Sequence, residues 1–371
     1  ATIAANRAAY GTAWPRLDFD AARLVVSFGA DFLDYNWGVS TAHQLDWADA
    51  RAKLENAPRF VYVGPRRSLT GLNADEWIPA RAGSELAIAN FLRGQSTAAA
   101  AAQASGVPQA TLERLAQEVT AAGNGLMALA GATDATAQEL AAAVAGLNQT
   151  AGAVGRTVLP AQGIAAYDRL NSYADLRALV ERMNAGEVSI LFVRGANPAY
   201  ATPKALGFAE AMKKVPFKVS FSSYPDETSE LCDLILPDHH ALEAWGDAEA
   251  GAGLVALQQP AMEPVFDTRQ TADVLIALAR ADQTTAARYP VRTYREFLMN
   301  RLGGAAAWTA ALPKGLANGS VLAAGAAPRA AMQLKPAQPV AAPTGDQMTL
   351  VVFPSPVLGD GRGANKPWLQ E

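Results

Sequence analysis

Hydrophobic residues along the chain occur in short runs that are separated by stretches of helical periodicity. The runs Leu24–Phe28 and Arg59–Val63 each end at a glycine, and a helical stretch from about Ser40 to Asn56 lies between them. Strand, helix and strand at this spacing are typical of a βαβ unit in a parallel sheet. The same alternation continues and predicts a first α/β domain over residues 1–160. Its later elements are helices over 98–102, 108–122 and 135–147 and a strand over 125–130.

A second α/β domain is predicted over residues 161–282, after the glycine-rich passage 152–163. The two domains together predict two tandem doubly wound, mostly parallel sheets, whose ligands lie at the carboxyl ends of the strands. The predicted elements of the second domain are helices over 173–185 and 204–214 and strands over 188–193, 217–221 and 234–236.

The remaining sequence predicts less regular structure. A helical tail over 283–322 precedes an Ala- and Pro-rich linker over 323–347, a composition that favours an extended chain. The apolar run Met348–Phe353 then predicts the first strand of an incomplete β domain over 348–371. Ala1 is not an initiator Met and Glu371 follows a loop-like stretch, so we expect a piece of a longer chain.

Composition and charge exclude several classes of function. Half of the residues are hydrophobic and 18% are charged, which fits a well-packed body. With 31 Lys and Arg against 35 Asp and Glu, the net charge is −4, and no dense basic tract is present. We therefore expect no nucleic-acid partner. No run approaches the roughly 18 apolar residues of a membrane-spanning helix, so we expect no direct membrane span.

Cysteine and histidine are too few for most metal centres. The single Cys232 cannot form an internal disulfide or supply the thiolates of an iron–sulfur cluster, and we interpret it as a small buried hydrophobe. The run Asp238–Glu243 places His239 and Glu243 four residues apart, which could offer metal ligands. Because adjacent histidine rings diverge, a polar helix start capped by Asp238 is favoured. We predict no metal site and no catalytic residue in this chain.

Candidate binding residues lie in the turns after the predicted strands. Neither a Walker loop nor a G-x-G-x-x-G motif is present, so ordinary ATP or NAD binding lacks sequence support. Taken alone, the patches 226–228 and 243–247 could each be a capping or turn device. The residues that we single out as a rim of strand-end loops are Gly29, Asp31, Gly64, Arg66, Gly195, Asn197, Glu227 and Thr228.

The order and spacing of these motifs resemble the large subunits of molybdopterin-dependent oxidoreductases over nearly the whole chain. Gly195–Pro198 is similar to the G-x-N-P motif of that superfamily, and Gly64–Arg66 is similar to its D-P-R turn. Glu227–Pro237 resembles the segment E-T-x-x-x-A-D-x-x-L-P. The resemblance implies that these loops correspond to the loops that surround a pterin–guanosine cofactor.

A closer resemblance is to the molybdopterin-like subunit of alternative complex III, a family of bacterial membrane-bound quinol oxidoreductases. It is carried by Ala5–Arg7, Phe28–Leu33, Ser68–Asp75, Leu242–Asp247 and Asn365–Glu371. It implies a molybdopterin-like part that has lost its cofactor, with iron–sulfur clusters in a ferredoxin-like module elsewhere in the chain. It also implies cytochrome subunits with haem c and quinol-binding membrane subunits as partners. The expected location is the periplasmic side of the inner membrane, peripheral within the complex.

Two departures from the superfamily pattern also favour a chain that has lost its cofactor. Gly64 stands where the superfamily has an Asp that accepts hydrogen bonds from a guanine edge. A buried recognition site that loses such an acceptor forfeits about 1–3 kcal/mol per missing partner. Ala82–Glu85 stands where P-G-T-D is usual. Tyr35, Trp37 and Trp245 are candidates to fill the old cavity, although aromatic residues in such loops are more often core.

The sequence therefore predicts a cofactor-free scaffold that supports electron transfer through clusters and haems carried elsewhere. The alternative is an active bis-pterin molybdenum or tungsten oxidoreductase large subunit, in which backbone N–H groups of the rim cradle pterin phosphates. A third possibility, a stand-alone α/β nucleotide-binding protein, predicts a soluble nucleotide-binding monomer.

Overall fold

The computed structural model describes residues 2–34, 37–38, 40–131, 136–164, 167, 170–251, 253–318, 348–355, 357–358 and 366–369. The chain divides into two compact units. Unit 1 comprises Ala1–Arg169 and Ala327–Glu371, and unit 2 comprises Leu170–Ala326. We describe each unit by itself.

Unit 1 is built on a four-stranded parallel sheet with the order β4-β3-β2-β5. Val26 on the central strand lies opposite Val61 on one side and Ala128 on the other. A separate, small antiparallel pair joins β1 to β6. The strands are β1 (Arg16–Leu17), β2 (Leu24–Phe28), β3 (Arg59–Gly64), β4 (Glu76–Pro79), β5 (Leu126–Ala130) and β6 (Val158–Leu159).

Helices cover both faces of this sheet, which explains why β2 is buried at every position. Val26 and Phe28 pack into one core with Leu112 and Leu140, whereas Val25 packs into the other core with Phe60. The helices of unit 1 are α1 (Thr2–Tyr10), α2 (Ser40–Ala52), α3 (Leu69–Leu72), α4 (Glu85–Leu92), α5 (Ala98–Ser105), α6 (Gln109–Ala122) and α7 (Ala137–Thr150).

Unit 2 contains a parallel sheet of order β7-β8-β9 and an antiparallel sheet of order β10-β11-β12. Its helices are α8 (Tyr173–Asn184), α9 (Pro198–Ala201), α10 (Phe208–Met212), α11 (Thr271–Ala281), α12 (Gln283–Ala286), α13 (Tyr294–Arg301) and α14 (Ala305–Ala311). Its strands are β7 (Ile190–Val193), β8 (Phe217–Ser220), β9 (Leu234–Ile235), β10 (Gly246–Gly251), β11 (Leu254–Gln258) and β12 (Leu316–Asn318).

The predicted α/β class with mostly parallel sheets is confirmed, and several local expectations are wrong. The helix predicted over 204–214 is interrupted at Gly207, whose φ of +70° follows a single 3₁₀ turn. The antiparallel sheet of unit 2 has no counterpart in the sequence-based prediction. The run Met348–Phe353, predicted as a strand, forms no strand among the described residues and belongs to unit 1. The predicted linker 323–347 lies outside the described residues, and the predicted domain boundaries stay predictions.

A side chain pairs with the backbone of β5, which is an edge strand of the unit 1 sheet. The amide of Asn148, in α7, donates to the carbonyl of Ala128 at 2.9 Å and accepts from its N–H at 2.9 Å. Asn148 also donates to the Tyr10 hydroxyl at 3.1 Å. Burial raises the pKa of Tyr10 to about 12. One buried amide thus satisfies the two backbone groups that a further strand would pair with.

Replacing Asn148 with Leu should destabilise unit 1, because the N–H and C=O of Ala128 would be left buried and unpaired. We expect a loss of about 2–6 kcal/mol in the free energy of unfolding, at about 1–3 kcal/mol for each unsatisfied group. Denaturant titration measures it. Gln149→Leu, which removes an exposed bond to the Ala9 carbonyl, is the matched control and should cost less. Equal stability of the Asn148→Leu variant and the wild type would contradict this role.

His43 is a buried histidine in the second core of unit 1. Its ring lies 5.4 Å from the Trp37 ring and 6.2 Å from the Phe19 ring, centroid to centroid. Nδ1 has no hydrogen-bond partner among the described residues. Burial lowers the pKa of His43 to about 4, because an imidazolium there would be desolvated without compensation.

This shift predicts acid sensitivity in a defined pH window. Between about pH 6.5 and pH 4 the unfolded chain binds a proton at His43 that the folded chain does not, so stability falls as the pH falls. The full effect is about 3 kcal/mol. Denaturant unfolding of the wild type and His43→Phe at about pH 7 and pH 4.5 should show a smaller loss in the variant. Parallel stability curves for the wild type and His43→Phe would refute the assignment.

Candidate functional site

Asp31 organises the loops at the carboxyl ends of β2 and β3. Its carboxylate accepts hydrogen bonds from the Tyr62 hydroxyl at 2.7 Å, from Arg66 Nη2 at 2.7 Å and from the Ser68 hydroxyl. Ser68 Oγ in turn accepts from the N–H of Gly71 and caps α3. Burial raises the pKa of the Tyr62 hydroxyl, and the nearby Asp31 charge raises it further. The carboxylate therefore holds the β2 loop, strand β3 and the start of α3 together.

Glycines allow the β2 and β5 loops to approach each other closely. Gly29 has a φ of +68°, and its N–H donates to the carbonyl of Val63 at 3.1 Å. A Cβ on Gly131 would lie 2.4 Å from the Ala30 Cα, and the Gly131 N–H donates to the carbonyl of Phe28 at 3.0 Å. These two backbone N–H groups are engaged within the sheet and do not point at a ligand.

A cavity of about 350 Å³ opens at this end of the unit 1 sheet, and we call it the rim cavity. Residues Thr349–Pro354, which we call the covering segment, form one of its walls. The Arg66 guanidinium carbon lies 4.0 Å from the centre of the Phe353 ring. The other residues that line the rim cavity are Gly29, Asp31, Trp37, Tyr62, Pro65, Ala82, Gly83, Glu85 and Gly131.

Gly64 ends β3 next to a buried carboxylate. A Cβ at this position would lie 3.6 Å from a Tyr62 ring carbon and 3.9 Å from Glu85 Oε1. Glu85 is buried at the start of α4. The rim cavity thus has an acidic side chain close to Gly64, and the missing side chain of Gly64 leaves the space for it.

The unit 2 residues that we singled out also come together. Asn197 Nδ2 donates to Glu227 Oε2 at 2.6 Å, and the Thr228 hydroxyl donates to Asn197 Oδ1 at 2.6 Å. Thr228 Oγ1 also accepts from the Ala199 N–H at 3.0 Å. Gly195 begins this turn with a φ of +64°. The turn after β7 is therefore bound to the turn after β8 by a chain of side-chain hydrogen bonds.

The Asp238–Glu243 run does not form the predicted helix face. Only Ala241–Glu243 is helical, as one 3₁₀ turn, and His239 lies before it with Nδ1 2.6 Å from the Thr268 hydroxyl. Asp238 accepts from the Thr271 N–H at the start of α11 and from Arg194 Nε, each at 2.8 Å. Within the described ranges, no three His, Cys, Asp or Glu side chains are placed to hold a metal ion.

The other singled-out side chains have structural surroundings. Cys232 is half-buried, packs against the α8–α10 core of unit 2, and has a pKa raised by burial. Trp37 lines the rim cavity and also packs on Trp14, with ring centroids 4.8 Å apart. Trp245 lines a separate cavity of about 630 Å³ in unit 2 and packs 5.3 Å from Trp308. Tyr35 lies outside the described residues.

Tyr62, Ser68 and Glu85 are not among the site residues that the sequence predicts. From the sequence alone, Tyr62 is one position of an apolar strand. Ser68 is typical of a helix cap, and Glu85 is typical of an acidic residue in the first turn of a helix. The signal that could have found Tyr62 is its polar tip within an otherwise aliphatic strand, since a buried Tyr hydroxyl needs a partner.

The sequence model of the molybdopterin oxidoreductase family matches residues 1–281. The chain belongs to this family. It is 29% identical over 303 residues to the menaquinone reductase, molybdopterin-binding-like subunit of Nitratidesulfovibrio vulgaris, covering 70% of this chain and 43% of the relative. It is 27% identical over 144 residues to the assimilatory nitrate reductase catalytic subunit of Bacillus subtilis, covering 39% and 19%. The chain thus spans less than half the length of these curated relatives.

The fold resembles that of acetylene hydratase from Pelobacter acetylenicus, with a TM-score of 0.67 at 14% identity. The match covers 86% of this chain and 55% of that one. No helix within the described parts of the chain has the length and apolarity needed to cross a membrane.

The charged side chains that line the rim cavity do not favour the diphosphate of a pterin dinucleotide. Its charged lining consists of two carboxylates, Asp31 and Glu85, and one guanidinium, Arg66. Arg66 is already engaged by Asp31 and by the Phe353 ring. Phosphate cradles need free backbone N–H groups or cations, and the N–H groups of Gly29 and Gly131 donate to strand carbonyls.

Thr228→Val tests whether the Asn197 cluster is structural. Val keeps the shape but removes the hydroxyl that joins Asn197 to Ala199, at a position that is 1% exposed. We expect unit 2 to lose about 1–3 kcal/mol in its free energy of unfolding. Chemical denaturation measures the loss. Thr202→Val, which removes a local bond to the Pro198 carbonyl, is the matched control and should cost less.

Proposed function

We propose that this chain is a cofactor-free scaffold of the molybdopterin oxidoreductase family within a quinol oxidoreductase-type complex of the alternative complex III kind. The single observation that carries the proposal is the rim cavity, where the family's cofactor loops are tied to one another and to the covering segment. Its polar groups satisfy each other around Asp31 instead of facing a ligand.

The membership in an electron-transfer complex is supported by the relative from Nitratidesulfovibrio vulgaris, which is a molybdopterin-binding-like subunit of a menaquinone reductase. On this proposal, iron–sulfur clusters are carried by other parts of the protein and haem c by partner subunits. Cytochrome c and quinol-binding membrane subunits are its partners. The proposed location of the chain is the periplasmic side of the bacterial inner membrane.

On this proposal the chain has a structural role. Two α/β units with packed cores provide rigid surfaces on which neighbouring subunits hold redox centres at fixed separations. The alternative remains an active bis-pterin molybdenum or tungsten large subunit, and the buried Glu85 beside Gly64 favours it, since it keeps a carboxylate near the position of the family's acceptor.

Elemental analysis of the intact native complex separates the two functions. We expect iron with no stoichiometric molybdenum or tungsten, and no fluorescent pterin after acid release. As a control, a catalytic member of the family should release pterin under the same treatment. Molybdenum or tungsten near one per chain would overturn the scaffold proposal and favour the active enzyme.

A further inference from the structure

The covering segment alternates between less exposed and more exposed residues. Val351 and Phe353 are 38% and 47% exposed, whereas Leu350 and Val352 are 87% and 70% exposed. Because successive residues of an extended chain point to opposite sides, this alternation is that of a segment laid against a surface. All six residues of the covering segment line the rim cavity of unit 1, and the Phe353 ring lies on Arg66.

We propose that the loops of the rim cavity form a docking groove for the chain's own covering segment, and that this segment lies on the loops that a dinucleotide would need. The inference rests on the proposed function, because a resident dinucleotide would need the same loops. It goes further by assigning an occupant to the groove.

Arg66 is the residue that selects this occupant. A guanidinium can donate in its plane to a carboxylate and stack its face on an aromatic ring at the same time. Arg66 does both, with Nη2 2.7 Å from Asp31 and its guanidinium carbon 4.0 Å from the Phe353 ring centre. The bond to Asp31 fixes the guanidinium, so that its face is presented to the Phe353 ring.

The charge balance of the groove favours the same occupant. With Asp31 and Glu85 against Arg66, a diphosphate would meet a net negative lining, whereas Val351 and Phe353 bring no charge. Because the segment is part of the same chain, its docking is intramolecular and is independent of protein concentration.

Cross-linking tests the docking. Cys232 is the only cysteine among residues 1–371, so in a Cys232→Ala background Ala82→Cys with Val351→Cys forms a defined pair within this part of the protein. Both positions line the rim cavity. We expect a short bis-maleimide to join them within the chain. The control pairs Val351→Cys with Thr120→Cys, an exposed position on α6 near the amino ends of the strands, and should not join. Equal yields for both pairs would overturn the proposal.

The same cross-linking pair tests the part played by Phe353. Phe353→Ala should lower the rate of cross-linking between Ala82→Cys and Val351→Cys about two- to fivefold, from loss of the stacked ring alone. Leu350→Ala, which removes a side chain that is 87% exposed, should leave that rate unchanged. Equal effects of the two variants would overturn the assignment. Metal or pterin in the native complex would refute the proposed function, whereas a failed cross-link in metal-free protein would refute the docking alone.

Discussion

The carboxylate of Asp31 is the constraint on which the unit 1 rim depends. It lies just after β2 and receives three hydrogen bonds from residues that belong to β3 and to the turn that follows. Removing it would leave Tyr62, Arg66 and Ser68 without their common acceptor. Arg66 takes its orientation from this bond, and Phe353 stacks on Arg66. The position of the covering segment therefore follows from a residue near the opposite end of the sequence.

Much of the fold could be predicted because the strands of parallel sheets are buried on both faces. The predicted bounds of Leu24–Phe28 match the observed strand, since an apolar run that ends at a glycine has few other interpretations. The antiparallel hairpin of β10 and β11 escapes prediction, because Gly246–Gly251 is rich in Gly, Ala and acidic residues and has low strand propensity. Met348–Phe353 has strand-like composition, yet no neighbouring strand pairs with it among the described residues. Composition alone does not supply a pairing partner.

The sequence predicts which loops form the candidate site. It does not predict the hydrogen bonds between the side chains of those loops. Turns after strands converge at one edge of a parallel sheet, so Asp31 and Arg66 are expected to be neighbours, and Asn197 and Thr228 likewise. Whether such residues face a ligand or each other depends on side-chain geometry that spacing does not encode. Glu85 beside Gly64 is the clearest case, because Glu85 begins a helix and does not belong to a turn after a strand, so only the fold shows that it lies close.

The amide of Asn148 has a consequence for assembly. An exposed edge strand is a template on which a foreign strand can add. By pairing with both backbone groups of Ala128, Asn148 gives β5 a side-chain surrogate for a neighbouring strand. Because those two groups are already paired, unit 1 is protected at this position of β5 against the addition of a foreign strand.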